Sequence, residues 1–86
     1  MTEVEIYTMN FYPYCKRAKA LFDSLKVPYT EIDVTNNESK MQELIAKTGV
    51  MTVPQIFING TFVGGCDDVM LLQKTGELKK LLAQAS

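Results

Sequence analysis

Apolar side chains recur along this chain with two periods, and the switches between them mark out its elements. Val4-Glu5-Ile6-Tyr7-Thr8 alternates apolar with polar or amphipathic residues, as a strand with one buried face does. From Pro13 the period lengthens: Ala18, Leu21, Phe22 and Leu25 follow the i, i+3, i+4, i+7 spacing of one helix face. Pro13 suits the first helical position, having a fixed φ and no N–H to leave unpaired. This helix is predicted to end at Leu25 or Lys26, before Val27-Pro28, because a residue ahead of proline avoids helical backbone. Tyr29 to Val34 alternates again and reads as a second strand, parallel to the first across a strand–helix–strand crossover.

Thr35 and Glu38 have the spacing of a capping box, and Met41, Leu44 and Ile45 give a second helix its apolar stripe. Gly49 sits where a left-handed C-terminal cap is expected. Thr52-Val53-Pro54 leads into a strand, Gln55-Ile56-Phe57-Ile58, and Asn59-Gly60 turns it into a return strand, Thr61-Phe62-Val63. Gly64-Gly65 breaks that strand. Asp67 or Asp68 is placed to cap a third helix carrying Val69, Met70, Leu71 and Leu72. Gly76 ends it, and Leu78, Leu81 and Leu82 form the buried face of a last helix. The order β-α-β-α-β-β-α-α predicts an α/β fold: a four-stranded mixed sheet flanked by helices on both faces, with the hairpin as its antiparallel edge.

Composition narrows the functions open to such a chain. Its 86 residues are expected to form a single domain, 1–86, and at 47 % hydrophobic content an ordered one. A net charge of −1 argues against a nucleic-acid footprint or a polybasic membrane patch. No apolar run approaches the length of a membrane span, and no export leader precedes Val4, so a cytoplasmic monomer is expected. Histidine is absent and there are two cysteines, too few soft ligands for an intrachain zinc site.

One of those cysteines draws the eye to chemistry. Cys15 falls in the first turn of the first helix, where free N–H groups and the macrodipole favour an anion. Lys16, Arg17 and Lys19 follow closely. A thiol so placed is expected to ionise more readily than a free one, and the thiolate is the reactive form. Against this stands the ordinary behaviour of free cysteine as a small buried hydrophobe. Cys66 has no spacing to Cys15 that demands a bridge.

Tyr12-Pro13-Tyr14-Cys15 at a strand end, followed by Lys16-Arg17-Ala18-Lys19-Ala20-Leu21, resembles the active-site region of glutaredoxins. Thr52-Val53-Pro54 and Gly64-Gly65-Cys66-Asp67-Asp68 resemble two further blocks of that family, and the likeness covers nearly the whole chain. The resemblance implies a thioredoxin-like fold and glutathione-dependent reduction of protein and glutathione mixed disulfides, with glutathione as co-substrate. The family carries Cys-Pro-Tyr-Cys, so Tyr12 stands at the position of its attacking cysteine and Cys15 at that of the resolving one. A phenol, with a reference pKa of about 10, is a poor nucleophile at neutral pH and forms no mixed disulfide.

By the same resemblance Pro54 is expected to be cis and Val53 to pair through its main chain with the cysteinyl part of glutathione. Tyr14, Thr52, Cys66 and Asp67 complete the expected glutathione groove. The start of the third helix suits the γ-glutamyl carboxylate, and an Asp suits the ammonium. Many glutaredoxins have a lysine where Met9 stands, so the glycyl carboxylate loses a cation, for which Gln55 is a candidate substitute donor. Cys15 is expected to be shielded by Tyr12 and Tyr14. The implied activity is an impaired oxidoreductase, or alternatively a non-catalytic module that binds glutathione or glutathionylated peptides.

Overall fold

The computed structural model of the chain describes residues 3–83. Its elements are β1 (Val4–Thr8), α1 (Pro13–Ser24), β2 (Thr30–Asp33), α2 (Glu38–Thr48), β3 (Gln55–Ile58), β4 (Thr61–Gly64), α3 (Cys66–Thr75) and α4 (Glu77–Ala83). The order is the one the alternation predicted. One sheet runs β2-β1-β3-β4, with β1 parallel to β2 and antiparallel to β3, and β4 antiparallel to β3. Asn59 and Gly60 both take positive φ (51° and 82°), as a hairpin turn that follows the strand twist requires.

Strand alternation divides the interior in two. Val4, Ile6, Ile56 and Ile58 face α1, α3 and α4, and pack with Ala18, Phe22, Cys66, Val69 and Leu78. Full burial of a side chain such as Phe22 contributes about 2–3 kcal/mol. Phe57, on the other face, meets Tyr7 edge-on and carries Lys47 of α2 over its ring at 5.0 Å. Thr8 is buried, and its hydroxyl donates to Glu31 Oε2 at 2.7 Å; Lys19 Nζ reaches the same oxygen at 3.0 Å. One carboxylate thus ties β1, β2 and α1 together.

Helix ends are where the structure departs from expectation. α1 stops at Ser24 because Lys26 turns left-handed (φ 57°), sending the Val27 N–H back to the Phe22 carbonyl at 3.0 Å. Thr35 does not cap α2. Asn37 does, its side chain accepting from the Lys40 N–H at 3.2 Å, while Thr35 Oγ1 accepts from Asn10 N–H and braces the loop before α1. Asp67 and Asp68 do not cap α3 either. Gly65 is the N-cap residue, and Asp68, three residues on, accepts from its N–H at 2.9 Å. Strand β2 is shorter than Tyr29–Val34 because it is a sheet edge; Tyr29 leaves the ladder to pack near Phe22. Met70 and Leu71 of α3 lie exposed, and Val69 and Leu72 carry its packing.

Candidate active site and glutathione groove

A groove of about 270 Å³ opens where the α2–β3 loop, the end of β4 and the starts of α1 and α3 converge. Tyr14, Val50, Thr52, Pro54, Phe62 and residues 64–68 line it. The Val53–Pro54 peptide bond is cis. Of the two glycines opposite, Gly64 is required and Gly65 allows a close approach. Gly64 has φ +125°, and a Cβ there would run into the Asp68 side chain. A Cβ on Gly65 would meet the Pro54 carbonyl oxygen at 3.2 Å, so the missing side chain lets the two backbones close on each other.

Polar groups left over at this junction are suited to a peptide-like ligand with charged ends. The Cys66 and Asp67 amides, in the first turn of α3, take no hydrogen bond among the described residues, which leaves two donors for an anion. The Asp67 carboxylate is exposed beside them. The N–H and carbonyl of Val53 are likewise without a hydrogen bond among the described residues, although its side chain is buried against Cys15 and Val34. An unpaired N–H and carbonyl on one residue are the groups that strand-like pairing with an extended partner uses.

The thiols are set back from this surface. Cys15 is 1 % exposed, sealed by Val34 and Val53 with Tyr7, Met9, Ile32 and Met41 around them. Tyr12 and Tyr14, expected to shield it, lie on the surface instead; Tyr12 packs edge-on against Phe11 at 5.2 Å, and Tyr14 lies under the Arg17 guanidinium at 5.4 Å. Burial pushes the Cys15 thiol up, against a hydrogen bond from the Met9 amide and the charge of Lys19, which pull down, while Glu31 and Asp33 push up further. The expected helix-start activation is therefore overturned, because removing the thiolate from water costs more than one helix end returns. Cys66, 5 % exposed, is raised too, by burial first and by Asp67 next, with Arg17 opposing.

Residues 4–63 match the family model described as Glutaredoxin. The chain belongs to the glutaredoxin family. It is 48 % identical to Glutaredoxin 3 of Escherichia coli (strain K12) over 82 residues, covering 95 % of this chain and 99 % of that one. Glutaredoxin 1 of Rickettsia prowazekii (strain Madrid E) is 51 % identical over 79 residues, with 90 % and 83 % covered. Among solved structures, a buckwheat glutaredoxin–glutathione complex superposes with a TM-score of 0.88 at 33 % identity, over 94 % of this chain and 76 % of that one. The fold is thus thioredoxin-like, and the relatives make this chain a glutaredoxin-like thiol–disulfide oxidoreductase by kinship.

Four of the residues named from sequence, Tyr14, Thr52, Cys66 and Asp67, come together in the groove beside Pro54. Tyr12, Cys15 and Val53 do not line it, although Thr52 and Pro54 on either side of Val53 do. Gln55 is not a spare donor: it is fully buried, and its Nε2 is engaged by the Val50 and Thr52 carbonyls. Met9 packs on the Cys15 cluster. Val50 and Phe62 were missed, and Asp68, quoted in the glycine block, lines the groove as well; the hairpin next to Phe62 was the available signal. Among the described residues no three His, Cys, Asp or Glu side chains converge as a metal would need, and no helix is long and apolar enough to cross a membrane.

Proposed function

We propose that this chain is a glutathione-dependent thiol–disulfide oxidoreductase by descent, with a glutathione groove and with its activity impaired by Tyr12, which stands in place of the attacking cysteine. The observation that carries the reading is the groove's set of unpaired groups. The γ-glutamyl carboxylate of glutathione fits the Cys66 and Asp67 amides and its ammonium fits the Asp67 carboxylate; its cysteinyl part would pair with the Val53 backbone, which has no hydrogen bond among the described residues and sits between Thr52 and Pro54 of the groove wall. Tyr14 and Thr52 supply the walls. The buckwheat relative in complex with glutathione supports the same ligand. Proteins with disulfides or bound glutathione are then the macromolecular partners. Affinity is expected to be modest, since Met9 brings no cation to the glycyl carboxylate.

The burial of both cysteines favours a second reading, a module that binds glutathione or glutathionylated peptides without turnover. Exchange needs a thiolate that reaches the substrate sulfur in line, and neither thiol has that access here. A glutathione-disulfide reductase assay on the parent and on Tyr12→Cys separates the two. Weak parent turnover that Tyr12→Cys raises supports the enzyme; no turnover in either leaves the binder. NMR titration with reduced glutathione tests the shared part: shifts at Val53, Cys66 and Asp67 are expected, and shifts elsewhere with these three unmoved would refute the groove as the site.

A further inference from the structure

Gln55 opens β3 with none of its surface exposed, yet it carries an amide, a group costly to bury unless its hydrogen bonds are made. Nε2 donates at 2.8 Å to the Val50 carbonyl and at 3.0 Å to the Thr52 carbonyl. Thr48 holds the same loop from the other side: its Oγ1 accepts from the Val50 N–H at 3.1 Å and donates to the Leu44 carbonyl at 3.0 Å. Both polar backbone groups of Val50 are therefore gripped by side chains, one from the end of α2 and one from the start of β3. Residues 50–53 make no backbone–backbone hydrogen bond among the described residues, so nothing else of that kind fixes this wall of the groove.

Gln55 Oε1 is buried and has no partner among the described residues. An apolar side chain of similar length would avoid that penalty. The amide therefore stands at this position for its two donors, and those donors act on the loop. We propose that Gln55 is the positioning residue of the groove: by gripping the Val50 and Thr52 carbonyls it sets how far the loop wall stands from Tyr14 and the start of α3. Its effect on ligand binding rests on reading the groove as the glutathione site. Gln55 touches no ligand; it acts through Val50 and Thr52.

The test uses the full chain with Gln55→Met and Gln55→Glu, each followed ligand-free by amide NMR and thermal melting, then titrated with reduced glutathione. Gln55→Met removes both donors at nearly constant volume. Ligand-free, it is expected to shift the amides of residues 50–53 while melting close to the parent, and to weaken glutathione binding about tenfold, the ratio set by one or two lost hydrogen bonds. Gln55→Glu adds a pH signature. Burial raises the introduced carboxyl's pKa, and below that value it is neutral and still donates one hydrogen bond. Above it, a carboxylate faces two carbonyl oxygens and repels them. Affinity relative to the parent should therefore fall as pH rises for Gln55→Glu, while the Gln55→Met deficit stays flat.

Unmoved loop amides in ligand-free Gln55→Met, or parent-like binding by both variants, would overturn the proposal. So would a Gln55→Glu deficit that ignores pH. Should the parent itself bind no glutathione, the groove reading fails, and the ligand-free amides alone decide whether Gln55 positions the loop.

Discussion

Two helices begin beside this groove with a cysteine in the first turn, and they begin in different ways. α1 starts from Tyr12, whose extended backbone (φ −98°, ψ 116°) is that of a cap but whose side chain makes no cap hydrogen bond; its cysteine is the third helical residue and faces inward. α3 starts from Gly65, its cysteine is the first helical residue and lines the groove, and Asp68 reaches back to close the turn. Neither start activates its thiol. A helix terminus is worth about 0.3–1 kcal/mol to a charge, less than the 1.4 kcal/mol or so of one pKa unit. Burial moves a thiol by up to several such units, so burial wins at both ends. What differs is the cap: at α1 the exposed cap position is held by a residue that does no capping, and at α3 Gly65 and Asp68 close the turn through the Gly65 N–H.

The largest effect should follow from changing that cap position. Tyr12 is 37 % exposed at the mouth of an uncapped first turn with no acidic residue in it. A thiolate there would accept from first-turn N–H groups while staying in water, which Cys15 cannot do. Tyr12→Cys is expected to raise glutathione-disulfide turnover by orders of magnitude, and Cys15→Ser in the parent to change it little. Robust parent turnover that Cys15→Ser abolishes would reverse the comparison, making the buried thiol the nucleophile.

At α3 the matching changes should cost fold rather than rate. Gly64→Ala forces an L side chain into φ +125° and against Asp68, so a loss of about 3 kcal/mol or more in urea unfolding is expected. Asp68→Ala removes only the reach-back to Gly65 N–H, for about 1 kcal/mol. Tyr12→Ala should fall below both, since no cap hydrogen bond is lost. A larger cost for Tyr12→Ala than for Asp68→Ala would show that the two starts are not structurally opposed.

How far these differences could be read from sequence depends on which interactions are local. Alternation in Val4–Thr8, the Asn59-Gly60 turn and the stripe through Ala18 and Phe22 carry their own geometry, so the element order was legible. Helix starts were read two or three residues wrong where several capping residues stood in a row. Thr35 and Asn37 compete for α2, and Thr35 is taken by Asn10 across the fold, a partner 25 positions away. The same limit applies to the site. Tyr14, Thr52, Cys66 and Asp67 came from block resemblance and meet in one groove. The state of Cys15 did not, because its burial is set by Val34, Val53 and Met41 from three other segments. Gln55 looked like a ligand donor because its two carbonyl partners are backbone and leave no mark in side-chain pattern.

Alkaline chemistry should rank the two thiols. Both have raised pKa values in the folded state, so each binds its proton more tightly folded than unfolded. Such a group stabilises the fold below the unfolded thiol's pKa of about 8.5, and that contribution is lost as pH rises through the folded value. Melting temperature should therefore fall in the alkaline range, less steeply in Cys15→Ala. Tyr7 and Tyr29, also raised by burial, add a fall of the same sign at higher pH that this variant leaves in place. Iodoacetamide labelling, resolved by peptide mass spectrometry, should be slow on both at neutral pH and reach Cys66 first, since Cys66 lines the groove. Labelling of Cys15 ahead of Cys66 would show that the apolar seal opens readily.

The smallest effect belongs to the cation that acts on the buried thiol. Lys19 lies one turn beyond Cys15 on α1, pulls its pKa down, and pairs with Glu31 at 3.0 Å with both side chains partly in water. A pair so exposed contributes roughly 0–1 kcal/mol, and less as salt is added. Glu31 is held low chiefly by the Thr8 hydroxyl, then by Lys19. A depressed carboxyl stabilises above its ordinary pKa, about 4.3, and that contribution is lost as pH falls through the folded value. Lys19→Gln is therefore expected to cost under about 0.5 kcal/mol at neutral pH and to keep most of the acid-side loss, because Thr8 remains. Thr8→Val should remove more, since it strips the principal hydrogen bond from Glu31 and leaves only Lys19. In Lys19→Gln the Cys15 thiol should titrate still higher, followed by the 13C shift of its β-carbon. An unchanged or lower value would mean that the cations after Cys15 do not reach its sulfur, and that the contrast between the two helix starts rests on burial alone.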